Sequence, residues 1–350
     1  MNREMRFGLI GAGAIGKIRA DALARSPFCR LAAVSDLDEA RARSAAPNAR
    51  FHQNPEDLIA SADVDAVIIS TPPPLHEPLT LVAAAAGKHV LVEKPMAATP
   101  PSCERMIHAV RQAGTVLTVG YNHRYFEALK LVRDIVCSGQ IGTLSHVRAY
   151  TGHSGLSEFK ASWMYDKDVM GGGALMDNGT HIIDLVRYIM GDPTEVLGFA
   201  TCNIWKLGVE DQGVALLRTA TGATATIEAS WHEWRGYRFH IEAYGDRGMA
   251  RAYYAPMTAT VITMDEPGGP KTIQRHFYPK AILREKLKGW QSTVVQTFVD
   301  ELADFVALAR GELHSGRLAV AVDGLRAVQI AHATYDSGVE RGCIRLPALP

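Results

Sequence analysis

The chain has few cysteines, no excess of charge of either sign and no long apolar run. Its five cysteines (Cys29, Cys103, Cys137, Cys202, Cys343) are odd in number, scattered and free of CxxC spacing. That pattern argues against a disulfide framework or a zinc site and for reduced thiols in a cytoplasm. The histidines show no HExxH or comparable ligand spacing, so no metal is expected. Lys plus Arg and Asp plus Glu stand at 37 each, so no global field draws nucleic acid or an anionic membrane, and any anion recognition must be local. No apolar stretch reaches the roughly 18 residues of a membrane span. Leu79 to Val92 comes nearest and is broken by Gly87-Lys88-His89. The N-terminus enters a first strand almost at once, which leaves no room for a signal peptide. Internal repeats and low-complexity tracts are also missing.

What is there is an ordinary globular composition, 47% apolar and 21% charged. At 350 residues the chain is long for one core, and two domains are expected, 1–121 and 122–350. The first is organised around Gly11-Ala-Gly13-Ala14-Ile15-Gly16, which follows the apolar run Phe7, Leu9, Ile10 and opens a helical stretch from Ala14 to Arg25. Gly11 turns the chain out of the strand, Gly13 leaves room for a pyrophosphate, and Gly16 lets helix and strand pack closely. The helix N-terminus offers N–H groups and a positive dipole end to phosphate. A second strand, Leu31 to Ser35, ends at Asp36, where a carboxylate can accept from the adenosine ribose hydroxyls. Strand, glycines, helix and acid at these distances indicate a dinucleotide-binding domain.

Strand and helix go on alternating through the first third. The strand Val64–Ser70 leads into Thr71-Pro72-Pro73-Pro74-Leu75-His76, and the strand His89–Val92 into Glu93-Lys94-Pro95. Residues at the carboxyl ends of parallel strands face the ligand crevice. On position alone, Lys94 fits a solvated loop lysine equally well. A helix over Pro101–Ala113 and a strand over Val116–Val119 complete the unit, and Gly120 to Arg124 marks a hinge. From Leu144 the pattern becomes strand-like over 144–151, 195–201, 213–219, 223–231, 238–244 and 249–254. Alternation such as Ala223-Thr-Ala-Thr-Ile-Glu-Ala-Ser230 predicts an antiparallel meander with one buried face. The exposed face suits self-association. Helices over 294–310 and 319–340 close the chain.

Between these parts lies Gly171-Gly-Gly-Ala-Leu-Met-Asp177-Asn-Gly-Thr-His181-Ile-Ile-Asp184. The glycines allow close backbone approach to something. If the segment is helical, Asp177 and His181 share a face, and an Asp–His pair orients an imidazole and stabilises its charged form. Taken alone, His181 equally suits a half-buried, satisfied histidine, and Asp184 a structural hydrogen-bond partner.

Together these segments resemble the Gfo/Idh/MocA family, named for glucose–fructose oxidoreductase, inositol dehydrogenase and a rhizopine catabolism protein. The resemblance covers nearly the whole chain and rests on Gly11-x-Gly13-x-x-Gly16, Asp36, Thr71-Pro72 with His76, Glu93-Lys94-Pro95, Gly120-x-Asn122-x-Arg124, and Gly171-Gly-Gly with Asp177 and His181. It implies an α/β protein with an N-terminal Rossmann domain and a C-terminal α+β domain built on a large, mostly antiparallel open sheet. It also implies that Lys94 and the Asp177–His181 pair meet over a nicotinamide. Cofactor contacts are then expected from Gly11, Gly13, Ala14, Ile15, Gly16, Asp36, Leu37, Thr71, Pro72, His76, Glu93, Lys94 and Asn122. Lys94, Arg124, His153, Trp163, Asp177, His181 and Tyr237 resemble substrate-side positions. His rather than Tyr at position 181 resembles the inositol-dehydrogenase type.

The expected chemistry is reversible hydride transfer from a secondary or anomeric hydroxyl of a sugar, inositol or related polyol, a CH–OH oxidoreduction. His181 would serve as base, held by Asp177, with Lys94 stabilising the alkoxide. Asp36 followed by Leu37 favours NAD over NADP, since a carboxylate repels a 2′-phosphate. Two rivals share the resemblance, an NAD-dependent glycosidase with transient sugar oxidation and a catalytically silent NAD-binding regulator. A homodimer or homotetramer through the C-terminal sheet is expected.

Overall fold

The structure, a computed structural model, describes residues 4–155, 161–266 and 268–350. It divides into two compact units: residues up to Tyr125 together with Arg284–Leu325, and Phe126–Leu283 together with Arg326–Pro350. The sequence reading drew one cut between 121 and 122, whereas segment 284–325 groups with the first unit.

Six parallel strands build the first unit: β1 (Met5–Ile10), β2 (Cys29–Ser35), β3 (Arg50–His52), β4 (Ala66–Ile69), β5 (His89–Val92) and β6 (Leu117–Val119). Their order is β3-β2-β1-β4-β5-β6. Parallel neighbours require crossovers. Helices α1 (Ala14–Arg25), α2 (Glu39–Ala45), α3 (Pro55–Ala60), α4 (His76–Ala85) and α5 (Pro100–Ala113) supply them. Covered on both faces, β4 is buried at every residue, which explains its unbroken Ala-Val-Ile-Ile run. The strand order reverses between β1 and β4, so Gly11 and the Ser70–Thr71 turn lie together at the switch point.

In the same unit, the apolar stripe Val295, Phe298, Leu302, Phe305 of α10 (Gln291–Ala309) joins a core of Phe7, Leu9, Val34 and Leu91. The Phe7 and Phe305 rings lie 5.6 Å apart. Each such buried ring or leucine contributes about 1.5–3 kcal/mol, which is the physical reason this late segment belongs with the first hundred residues.

The second unit carries a nine-stranded sheet of β7 (Leu144–Gly152), β8 (Pro193–Thr201), β9 (Gln212–Thr219), β10 (Thr224–Ser230), β11 (Arg238–Gly245), β12 (Gly248–Tyr254), β13 (Thr258–Thr263), β14 (Thr272–Phe277) and β15 (Ile344–Arg345), in the order β14-β13-β12-β11-β7-β10-β9-β8-β15. The sheet is mostly antiparallel but not a simple meander. β7 inserts between β10 and β11 and runs parallel to β10, so that Gly152 faces both Ser230 and Arg238. The connection from Trp231 to Tyr237 is too long for a tight hairpin and instead bridges the end of β7. Helices α6 (Glu127–Cys137) and α8 (Thr180–Met190) cover one face. The opposite face exposes Phe199, Val214 and Leu216. The short α7 (Lys167–Met170) precedes the glycine segment, and α9 (Pro279–Lys288) and α11 (Ala321–Glu340) complete the helices. Among the described residues, no helix is long and apolar enough to cross a membrane.

Candidate active site

In the first unit the glycine turn forms a cradle. Gly11 has φ +90°, and a side chain there would lie 2.7 Å from the Ser70 carbonyl oxygen. Gly13 precedes α1 and faces open space, since a Cβ on it would meet nothing within 4 Å. No side chain caps α1, so the N–H groups of its first turn, which no helical carbonyl can satisfy, are available to an anion. The Ser70 and Thr71 hydroxyls beside this turn are buried with no hydrogen-bond partner among the described residues. At the end of β2, Asp36 Oδ2 accepts from the Ala12 N–H at 2.7 Å and Oδ1 from the Asp38 N–H at 2.9 Å. Arg41 lies 3.6 Å from that carboxylate. Leu37 is 93% exposed. A side-chain-free cradle, orphaned hydroxyls and a fixed carboxylate fit a dinucleotide.

Glu93, Lys94 and Pro95 leave β5, and the Lys94–Pro95 peptide is cis. His76 holds this loop. Its Nδ1 lies 3.0 Å from the Pro95 carbonyl oxygen and its Nε2 2.8 Å from that of Thr71. Both ring nitrogens therefore engage backbone, and burial pushes the imidazole below its usual pKa. His76 clamps two ligand-side loops together, a job that sequence spacing did not reveal. Behind Glu93 stands Arg19 of α1, fully buried, with Nε 2.6 Å from Glu93 Oε1, a second ion pair to Glu301 of α10, and its guanidinium 3.6 Å over the Phe298 ring. Burial, and then the Lys94 charge, drive His123 down to about 3.

In the second unit, residues Leu175–Gly179 form one π turn, in which the Gly179 N–H donates to the Ala174 carbonyl at 2.8 Å, and α8 begins at Thr180. Such wide turns recur at functional sites. Asp177 and His181 stand on either side of this junction, both buried. Asp177 Oδ2 is held by His153 Nε2 at 3.0 Å and by the Trp231 indole N–H at 3.3 Å. His153 Nδ1 accepts from the Gly155 N–H at 3.0 Å. Tyr165 meets Trp231 edge-on at 5.7 Å. Tyr237 hydrogen-bonds the Thr151 side chain, and burial raises its phenol above the usual range. Thr151 Oγ1 lies 3.5 Å from Asn178 Nδ2. Thus the ends of β7 and β10, the π turn and the start of β11 gather His153, Asp177, Trp231 and Tyr237.

Known proteins share this chain's family and fold. Residues 5–121 match the model of the oxidoreductase family with an NAD-binding Rossmann fold, and residues 129–251 that of the GFO/IDH/MocA C-terminal domain. An uncharacterized oxidoreductase of Bacillus subtilis, YrbE, is 34% identical over 274 residues, covering 76% of this chain and 79% of its own. The chain belongs to the Gfo/Idh/MocA family. A myo-inositol 2-dehydrogenase of Thermotoga maritima is 32% identical over 78% of this chain and 82% of its own. An oxidoreductase domain protein from Kribbella flavida has a TM-score of 0.87 at 27% identity, covering 99% and 100% of the two chains. Levoglucosan dehydrogenase in complex with NADH and L-sorbose reaches the same TM-score at 24% identity over 99% and 100%, a likeness of fold.

Within this Gfo/Idh/MocA chain, NAD is the cofactor class. Two of the expected contact residues have partners within the first unit. Arg124 is buried, ion-paired to Asp323 at 3.3 Å and donating to the carbonyl of Arg317, and Asn122 donates to Thr297 of α10 at 2.8 Å. Trp163 sits part-exposed on a short turn over Ser162–Tyr165. Three residues escaped the sequence reading and left signals there. Glu301 occupies the apolar stripe of α10 between Phe298 and Leu302. Trp231 continues the buried alternation of Ala225, Ile227 and Ala229. Glu210 stands just before β9.

Proposed function

We propose that this chain is an NAD-dependent dehydrogenase that oxidises a secondary or anomeric hydroxyl of a sugar, inositol or related polyol. The observation that carries the proposal is the Asp177 carboxylate, held by His153 and Trp231 one turn before His181, in a chain related to inositol 2-dehydrogenases. A buried carboxylate beside imidazoles is a means of orienting a base and balancing the charge it gains.

Bound nicotinamide supplies the hydride acceptor. The chain's own residues do the rest. The first turn of α1 and Gly13 hold the pyrophosphate, and Asp36 accepts from the adenosine ribose. NAD is preferred over NADP, because the Asp36 carboxylate would repel a 2′-phosphate and exposed Leu37 carries no compensating charge. His181 takes the hydroxyl proton, with Asp177 balancing the imidazolium. Lys94 donates to the same substrate oxygen and stabilises its developing negative charge. His153, Trp163 and Tyr237 line the substrate side. The base and the sugar-recognition residues belong to the second unit, which also forms a homodimer or homotetramer through the sheet face bearing Phe199, Val214 and Leu216.

An absorbance screen for NADH formation tests this proposal. Purified protein is offered NAD and NADP in parallel, with inositols, aldoses, sugar acids, anhydro sugars and chromogenic aryl glycosides, at pH 7 to 9. Net NADH from a free polyol is expected. Release of an aglycone without net NADH would replace the proposal with a glycosidase. NAD binding with no turnover on any of these would point to a regulator.

A further inference from the structure

The three-glycine segment approaches something closely, and the structure shows what it approaches. Glu210, half-buried just before β9, spreads its carboxylate across the start of the Asp177 segment. Oε2 accepts from the Gly173 N–H at 2.7 Å and Oε1 from the Leu175 N–H at 2.9 Å. The backbone carbonyl of Glu210 takes the N–H between them, that of Ala174, at 3.0 Å. Tyr335 of α11 donates its hydroxyl to Oε1 at 2.7 Å. Three successive N–H groups at the head of the segment, which no helical carbonyl can satisfy, thus end on one residue. The glycines are the condition for it: a Cβ on Gly173 would run into the Glu210 carbonyl, and one on Gly172 into the Tyr335 hydroxyl. Burial raises the Glu210 carboxyl above its usual range, while Tyr335 and the two N–H groups pull it back.

The next residue, Asp211, holds the other partner. Its carbonyl accepts from the Trp231 N–H at 2.8 Å, and its carboxylate takes the N–H groups of Ile204 and Trp205, both at 2.8 Å. Trp231 in turn donates its indole N–H to Asp177. One acidic dipeptide therefore fixes both the segment that carries Asp177 and the indole that holds its carboxylate.

We propose that Glu210 is a positioning residue for the dehydrogenation, acting through the Gly173–Leu175 backbone to set Asp177 and His181 in place. This rests on the roles given to Asp177 and His181 above. A glutamine at 210 keeps the size but presents an NH2 group to one of two N–H donors, so one of these contacts must break. Tyr335→Phe leaves the carboxylate in place and removes only its third donor.

The test uses the full chain with Glu210→Gln and Tyr335→Phe. Amide exchange at Gly173 and Leu175 should rise at least tenfold in Glu210→Gln. kcat should fall ten- to a hundredfold, with a shifted acidic limb of its pH profile, where the base His181 becomes protonated, and NAD Kd within twofold. Tyr335→Phe should lose two- to fivefold in kcat in the same pattern, and it carries the test if Glu210→Gln does not fold. Unchanged exchange, or raised exchange with wild-type kcat and pH profile, overturns the inference. If the wild-type protein turns over no sugar or polyol, the proposed function fails on its own, and the positioning role is read from imidazole NMR of His153 and His181. Shifted resonances in the variants support it and unshifted ones overturn it.

Discussion

His153 Nε2 lies 3.0 Å from the Asp177 carboxylate, while its Nδ1 accepts the Gly155 N–H. Because Nδ1 is occupied as an acceptor, the proton of the neutral ring sits on Nε2 and points at Asp177. His153→Ala removes a donor on Oδ2. A ten- to hundredfold loss in kcat is expected, with a raised substrate KM and unchanged NAD affinity by calorimetry. Wild-type kinetics in this variant would leave the contact without a catalytic consequence.

His181→Ala and Lys94→Ala are each expected to lower kcat by orders of magnitude, as loss of a general base or of a donor to a developing oxyanion does. NAD binding should change little in either. A normal kcat in one of them removes that residue from the mechanism.

Asp36 ties the glycine turn to the end of β2 through the Ala12 N–H. Asp36→Ala should weaken NAD binding about tenfold, the ~1.4 kcal/mol of a lost hydrogen bond to a charged group. Adding Leu37→Arg should let NADP bind. Titration of both cofactors by fluorescence decides this, and undiminished NAD preference in the double variant would place the discrimination elsewhere.

Burial raises Glu301 to about 7, against the opposing pull of Arg19. The folded state therefore keeps a proton that an ordinary carboxyl has lost. Its stabilising contribution is complete below the ordinary carboxylate pKa and is lost as pH rises through about 7. Glu301→Gln should flatten the decline of Tm between pH 5 and 7.5. The same slope in the variant would assign that decline to another group.

The cofactor half of the site was the more legible half. Gly11, Gly13, Gly16 and Asp36 act through backbone shape and local spacing within one strand–helix–strand unit, which a linear pattern records. The substrate half was harder to read. The Asp177–His181 spacing singled out the segment on which the proposed function rests. It did not show His153 and Trp231 on the Asp177 carboxylate, because those residues arrive from β7 and the end of β10. Nor did the linear pattern show that His76 and Arg124, expected as ligand contacts, engage backbone carbonyls, or that Arg124 pairs with Asp323.

By itself, then, the amino-acid sequence determined the alternation of strands and helices, the dinucleotide turn and the alternating faces of the large sheet. Each of these follows from local sterics and from hydrophobic period. Tertiary structure alone decided that β7 enters between β10 and β11, that α10 packs on the first unit's core, and that Arg19 is buried between Glu93 and Glu301. Those outcomes depend on residues tens to hundreds of positions apart satisfying one another's charge, hydrogen bonds and volume. No local period encodes such a match.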